Sequence, residues 1–597
     1  MTNSDQEPAF LQIDRSLSGA RWQGRNVDER FVQAVNQRYG YPDILARVLS
    51  ARGVSLEEIE AHLDPKIRQY MPDPSVLKNC DRAVERLIAA IKGNEKITIF
   101  GDYDVDGATS TSLLIRYLNC LNVAADFYIP DRMVEGYGPN PAAFDKIKER
   151  GARLVVTVDC GTMAHDALAH ARDIGLDVIV IDHHQTAATP PECVALVNPR
   201  QIGDESGLGH LAAVGVVFMV IVGLNRALRE DGYFATSQPV DLISFLDLVA
   251  LGTVCDVVPL QGLNRAFVTQ GLAVMNHGHR AGLKALAQVA RAQQPYGTYD
   301  LGFVMGPRVN AGGRVGASEL GTRLLINDNV EETAALAMRL DDYNRERRDI
   351  EALVLAQAKA QIETQIVGLN RVPSALIVSS NEWHAGVIGI VASRLKDQYN
   401  RPSFVISFDE AGMGKGSARS VPGFDLGQVI TRMQADGLIE SGGGHAMAAG
   451  MSVRRDQMPA FEAHLLSLLD DADLSDRRPI SVDALLSPNA ATRELWEMLE
   501  RAGPFGAANP EPVFVLPSVR VGFSKTVGEG HVQCAFTDDQ GGRLKGIAFS
   551  SVDEHVRGAL LTYRGPMHIA GYMRADDWQG RRNVQFLVKD AAISQGS

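Results

Sequence analysis

The chain has 597 residues, too many for one hydrophobic core, so roughly three or four folding units are expected. Hydrophobic residues at 45% and charged residues at 22% exclude wholesale disorder and fibrous architectures. A formal charge of -13 excludes a protein that coats nucleic acid by bulk electrostatics, but leaves room for a local basic groove or for bound cations.

The first 75 residues read as a helical and irregular segment without recognisable chemistry. From Lys96 onward strand, turn and helix alternate: strands at 96–100, 124–129, 153–158, 178–181 and 194–197, helices at 108–121, 141–150 and 166–174. Alternation at this spacing means βαβ units and a parallel sheet. Helical patterns dominate 210–251, with a buried helix expected at the longest apolar run, Leu211 to Leu224; that run is too short for the roughly 20 residues of a membrane span. A glycine-rich turn region follows at 302–316. Residues 331–366 read as one helix, which at about 1.5 Å per residue would span roughly 50 Å and bridge two domains. A second α/β unit has strands at 374–379 and 403–408, a helix at 387–398 and a glycine-rich block at 442–450. Beyond about residue 512, short strands with Val, Phe and Tyr alternate with glycine turns, as in a small β-barrel or sandwich. The expected divisions are 1–75, a catalytic α/β unit at 76–329, a connecting helix at 330–367, a smaller α/β unit at 368–475 and a β-unit at 476–597.

Cys80, Cys120, Cys160, Cys193, Cys255 and Cys534 form no CxxC pair, so neither a zinc knuckle nor a disulfide frame is expected. No basic stretch followed by an apolar core opens the chain, so a cytoplasmic protein without an export signal is expected.

Chemistry concentrates where apolar runs stop. The first strand runs into Gly101-Asp102-Tyr103-Asp104-Val105-Asp106-Gly107; if this stays extended, its three carboxylates line one side and repel unless protonated or bound to cations. An EF-hand loop is excluded because no helix precedes it and Leu113 occupies the twelfth position. Strand 153–158 ends on Asp159, strand 178–181 on Asp182-His183-His184, and the apolar stretch from Leu248 on Asp256. An isolated His-His pair is better read as a loop feature. Four acidic positions at the same end of one sheet change that reading to a metal site. Oxygen donors with one or two imidazoles suit Mn²⁺ or Mg²⁺ rather than Zn²⁺. Asp104, Asp106, Asp159 and Asp256 carry charge that two divalent cations balance, and two metals about 3.5–4 Å apart are the usual device for displacement at phosphorus. Metal-assisted phosphoester hydrolysis is the expected reaction class.

Asp102 to Gly107, Val158-Asp159-Cys160-Gly161, Asp182-His183-His184 and Thr253-Val254-Cys255-Asp256 occur in the order of the DHH phosphoesterase family, which the chain resembles over nearly all its length past the amino-terminal tail. The resemblance extends to Gly306–Arg314, Trp383–Ile390, Ser417–Ser420 and Gly442–Gly450, and is strongest to the bacterial members specific for single-stranded DNA. It implies that Asp104 and Asp159 hold one metal, that Asp106, Asp159, His183 and Asp256 hold the other, and that Asp159 bridges. It further implies that His184 faces the scissile phosphate, that Asp182 orients an imidazole, and that water activated by the metals is the nucleophile. Many relatives carry His four residues before the first liganding Asp; Phe100 stands there, which predicts one looser metal and leaves the role of the neighbouring Asp102 open.

The smaller α/β unit resembles the DHH-associated domain, which implies phosphate contacts from Ser417, Arg419, Ser420, Gly443, Gly444 and His445, with Arg308, Asn310 and Arg314 as further candidates. A plain ion pair is the alternative for each arginine, and a packing role for His384 and His445. The carboxy-terminal unit fits an OB-fold: between Glu511 and Ser597 it holds ten Lys and Arg against nine Asp and Glu, interleaved with aromatic residues of which Trp578 is the best exposed candidate for base stacking. The resemblance implies a 5′-to-3′ exonuclease that releases mononucleotides from single-stranded DNA in repair and recombination, with a single-strand-binding protein and a helicase as partners, no membrane association and a monomeric state. The alternatives are a small-substrate phosphoesterase of the family, such as an oligoribonuclease or cyclic-dinucleotide hydrolase, and a non-catalytic replication scaffold of the Cdc45 type. The intact ligand set speaks against the scaffold.

Overall fold

A computed structural model describes residues 8–132, 134–236, 238–278, 280–470, 479–577 and 582–594. The expected parallel sheet is formed by β1 (Ile97–Phe100), β2 (Ala125–Tyr128), β3 (Leu154–Val158), β4 (Asp177–Ile181) and β5 (Ala195–Val197) in the order β2-β1-β3-β4-β5. Every residue of β1 and β3 is buried, because helices cover both faces. Ile97, Ile99, Val156, Val158, Ile179 and Ile181 face a large helical core, whereas Phe100, Val155, Val178 and Val180 face a smaller one under helices Pro141–Glu149 and His165–Asp173. At about 1.5–3 kcal/mol per fully buried aliphatic side chain, this double coverage fixes the register from which the site is built.

Helix α1 (Val105–Cys120) leaves β1. The apolar run at Leu211 is α2 (Ala213–Glu230), buried along most of its length. Two expectations are corrected. The apolar stretch before Asp256 does not belong to the sheet; it is a helix, α3 (Leu246–Cys255), whose residues from Leu246 to Thr253 are buried all round. The glycine-rich stretch near 302–316 is helical too, with a π-helical turn at Asp300–Met305 running into α4 (Gly306–Val315). Its glycines mark close approach rather than turns: a Cβ on Gly306 would lie 2.4 Å from the Cys255 sulfur of α3.

The bridging helix, α5 (Val330–Leu369), has 40 residues and so reaches about 60 Å. Asn329 caps it by accepting from the Glu331 and Glu332 N–H groups. Ala337 and Leu340 lie in the core of the parallel-sheet unit, and Val354, Ala358 and Ile362 in that of the next. That next unit is a mixed sheet of β6 (Leu376–Ser380), β7 (Ser403–Phe408), β8 (Met413–Arg419), β9 (Ser441–His445) and β10 (Ala448–Arg454), in the order β9-β10-β8-β7-β6. Helix α6 (Ile388–Tyr399) packs on β7 and β8.

At the carboxy-terminal end five strands, Phe514–Val527, His531–Thr537, Arg543–Ala548, Met567–Asp576 and Asn583–Ile593, close into a barrel because the first pairs with both the second and the fourth. The helices before residue 75 share its core: Val32, Val35, Leu45 and Leu49 cluster with Phe514, Phe536 and Phe586. A parallel pairing of Trp22–Gly24 with Ile480–Val482 ties the amino-terminal segment to the start of the carboxy-terminal unit.

Candidate metal centre

The strand order reverses direction at β1 and β3, and in open parallel sheets ligands collect at the carboxyl ends of strands flanking such a switch. The loop after β1 carries the first carboxylates, but it does not stay extended. Asp104 caps α1 by accepting from the Gly107 N–H at 3.0 Å, and Asp106 already lies in the first turn. A side chain on Gly107 would put a Cβ 2.6 Å from the Asp102 carbonyl, so the helix can start this close to the loop only with glycine. Asp159 leaves β3 with φ +60°, a left-handed conformation that turns the chain sharply at the strand end. Asp256 ends α3 rather than a strand, and the helix carries it to the same place.

Among the described residues, three overlapping groups have ligand atoms within 4.8 Å of one another: Asp106, His183 and Asp256; Asp159, His183 and His184; Asp102, Asp104 and Asp159. His183 Nε2 lies 3.4 Å from the Asp159 carboxylate, 3.7 Å from that of Asp256 and 3.9 Å from that of Asp106. His183 Nε2, Asp256 Oδ2 and Asp102 Oδ1 are all buried without a hydrogen-bond partner. Orphaned buried polar atoms are costly, and two of these, on His183 and Asp256, face each other at 3.7 Å, while Asp102 belongs to the neighbouring group with Asp104 and Asp159. Burial, followed by the charge of Asp104, pushes Asp106 up to about 7. Burial with the charges of Asp106 and Asp104 pushes Asp256 up to about 9 and holds Asp159 well above the usual carboxylate range. Asp102 is likewise raised by burial and by Asp104. Such crowded carboxylates ionise together only around cations, and an oxygen-rich set with one imidazole fits hard divalent ions.

The two histidines differ. His183 Nδ1 donates to the Leu211 carbonyl at 3.1 Å, which leaves the Nε2 lone pair aimed at the carboxylates. Burial and the neighbouring His184 lower its pKa to about 4. His184 Nδ1 donates to Asp182 at 2.7 Å; burial opposes its charge, but Asp182 overcomes this and raises it to about 9. Asp182 also accepts from the His183, His184 and Thr162 N–H groups. The imidazole that Asp182 orients is therefore that of His184, while a backbone carbonyl sets His183. Asp106 accepts from the Ala213 and Val214 N–H groups at 2.7 and 2.9 Å, the opening turn of α2. Neither Leu211 nor this helix start was legible as part of the site; their only signal was the start of an apolar run. Phe100 points away, stacking 5.5 Å from Tyr128 in the smaller core, so that position adds nothing to the site, and Asp102 is the further carboxylate beside Asp104 and Asp159.

The phosphate candidates divide. Arg314 donates to the Gly386 carbonyl and lies close enough to feel Asp104; burial, then repulsion from Arg132 and Arg347, lowers it to about 10. Arg132, missed in the sequence, stacks over Tyr103 at 5.0 Å and completes this basic corner. Ser417 and Arg419 stand over the first turn of α6, where a Cβ on Gly389 would lie 3.0 Å from the Ser417 hydroxyl and 3.2 Å from the Arg419 guanidinium. Asn310 is half-buried on α4 between Arg308 and Arg314. Three readings change. Arg308 is held in an ion pair with Asp341 at 2.8 Å. The Ser420 hydroxyl is buried and donates to the Phe424 carbonyl. Gly443, Gly444 and His445 lie on the exposed edge strand β9, so they offer strand-edge N–H groups rather than a turn-shaped nest. Trp578 lies outside the described residues.

Comparison with known proteins matches three family models: the DHH family N-terminal domain at residues 96–253, the DHHA1 domain at 373–471 and the RecJ OB domain at 482–590. The chain is 37% identical over 568 residues to the single-stranded-DNA-specific exonuclease RecJ of Escherichia coli, covering 92% of this chain and 95% of that one. It is 34% identical over 589 residues to the Bacillus subtilis RecJ, covering 97% and 71%. The crystal structure of Thermus thermophilus RecJ in complex with Mn²⁺ superposes with a TM-score of 0.80 at 27% identity, over 96% of this chain and 80% of that one. The Mg²⁺ complex of the same protein gives a TM-score of 0.74.

Proposed function

Because the chain belongs to the RecJ family of single-stranded-DNA-specific exonucleases, we propose that it hydrolyses single-stranded DNA with Mn²⁺ or Mg²⁺ held at the ends of β1, β3 and β4. The observation that carries this reading is the convergence of His183 Nε2 and the carboxylates of Asp106, Asp159 and Asp256, crowded so that they ionise together only around cations. The set fits two ions, one on Asp104 and Asp159, one on Asp106, Asp159, His183 and Asp256. When bound, such ions lower the pKa of water and neutralise charge on the phosphoryl oxygens.

The chain's own residues prepare the site. Leu211 fixes the tautomer of His183, and the start of α2 holds both oxygens of Asp106. Half-exposed His184, its ring held by Asp182, whose carboxylate favours the protonated imidazole, stands beside the Asp159 carboxylate where a phosphate would be met. Arg132 and Arg314, with Ser417 and Arg419 across the junction between the two α/β units, offer donors for a terminal phosphate. Release of 5′-mononucleotides from the 5′ end follows the family resemblance, as do a monomeric state, a cytoplasmic location and partnership with a single-strand-binding protein and a helicase.

The test is degradation of 5′-labelled single strands, duplexes and dinucleotides in Mn²⁺. Rapid loss of long single strands is expected. Equal or faster turnover of dinucleotides would instead favour a small-substrate phosphoesterase.

A further inference from the structure

A cleft of about 900 Å³ runs from the residues flanking Asp256 to the base of the barrel. One wall carries Tyr299 and Phe303, 68% and 73% exposed, with ring centroids 5.3 Å apart and planes within 25°. Large aromatic side chains are seldom left this open. The pair is stacked in advance, because Tyr299 and Phe303 stand four residues apart at the π-helical turn. That turn is anchored to the metal centre. Its Leu301 carbonyl accepts from the Cys255 thiol at 3.3 Å, and a Cβ on Gly302 would lie 3.4 Å from Val254, both in the last turn of the helix ending on Asp256. Trp496 and Phe505, from the barrel side, line the same cleft. Of its charged residues, Arg501 and Arg574 are outnumbered by Glu500, Glu511 and Asp64, so this cleft offers ring faces rather than positive charge for phosphates.

We propose that Tyr299 and Phe303 are a stacking platform for the bases of the single strand between the barrel and the metal centre; this rests on the exonuclease reading above. Stacking on an aromatic ring is indifferent to sequence, since every base has a flat face, and it is insensitive to salt, unlike contacts to phosphate. The platform therefore acts on long substrates, whose bases reach past Asp256, and leaves dinucleotides untouched.

The test is steady-state hydrolysis by the Mn²⁺-loaded full-length protein of a labelled twenty-nucleotide oligo-dT and of a dinucleotide, comparing wild type with Tyr299→Ala/Phe303→Ala. We expect KM for the oligomer to rise on the order of tenfold with kcat and the salt slope unchanged, and dinucleotide turnover to be unaffected. The aromatic replacement Tyr299→Phe/Phe303→Trp should restore KM. Scanning abasic positions along the oligomer should find positions whose loss raises KM in wild type but adds nothing in the double variant. An unchanged KM in the double variant, or abasic effects that add fully to it, would overturn the platform. So would a wild-type dimer that the double variant turns into monomer, because a second copy would then be covering the rings. Wild type that leaves the oligomer intact contradicts the exonuclease reading itself, a result distinct from an active wild type matched by an equally active variant.

Discussion

His183 Nε2 stands 3.4 Å from the Asp159 carboxylate with no hydrogen-bond partner, although both residues are buried. That pairing ties the end of β3 to the end of β4, and the predictions begin with it.

Asp159→Asn should reduce cleavage on the order of a thousandfold or more while single-strand binding survives, because the amide cannot supply a bridging charge. Asn also tolerates the left-handed conformation at this position, so backbone strain is not introduced. Removing one of the crowded carboxylates should raise the Tm of the metal-free protein. Retained cleavage measured on a labelled single strand would remove the bridging role.

Stability should depend on pH in opposite ways with and without metal. Asp106 and Asp256 are raised to about 7 and about 9 in the metal-free fold, against about 3.9 for Asp in an unfolded chain. Between about pH 4 and pH 9 the folded state therefore binds more protons than the unfolded one, and stability falls as pH rises. In EDTA, Tm should drop by several degrees from pH 6 to 9, at about 2–4 °C per kcal/mol for a unit of this size. Mn²⁺ should displace these protons, so its stabilising Tm shift should grow with pH. A Tm that rises with pH in EDTA would contradict the assignment.

Asp182→Asn should lower kcat about 10–100-fold, the usual cost of losing a partner that orients a site imidazole. His184 is raised to about 9 chiefly by Asp182 working against burial, so its pKa should fall in the variant. The alkaline limb of the kcat profile should move toward neutral pH. An unshifted limb would mean that His184 does not set it.

Truncation after residue 475 should leave a sticky protein rather than a clean catalytic fragment. The barrel shares its core with Val32, Val35, Leu45 and Leu49, and its removal exposes that face. Removing residues 1–75 together with the barrel should restore solubility and lower binding of a hydrophobic dye. A truncated protein that stays soluble and binds no dye while retaining residues 1–75 would show those helices to be independent of the barrel.

The parallel sheet was legible because its strands are buried on both faces, so β1, β3 and β4 read as apolar runs stopping at charged residues. Asp159, Asp182 and His183 were found by that stop. Asp256 was found for a partly mistaken reason: the helical pattern was read only as far as Leu251, and because an apolar helix buried nearly all round lacks a clear period, its last turn was grouped with the strand ends of the sheet. The glycines from 302 to 316 misled in the same way, since glycine demanded by helix crossing looks like glycine demanded by a turn. Contacts made by backbone, such as the Leu211 carbonyl on His183 and the start of α2 on Asp106, carry no side-chain signature. Nor could spacing show that the amino-terminal helices pack on a barrel that begins more than 400 residues later.

The most direct test of the metal centre is anomalous diffraction from crystals soaked in Mn²⁺. Two peaks about 3.5–4 Å apart are predicted, with Asp159 between them and His183, Asp106 and Asp256 around one of them. A single peak, or peaks away from Asp159 and His183, would contradict the two-metal account.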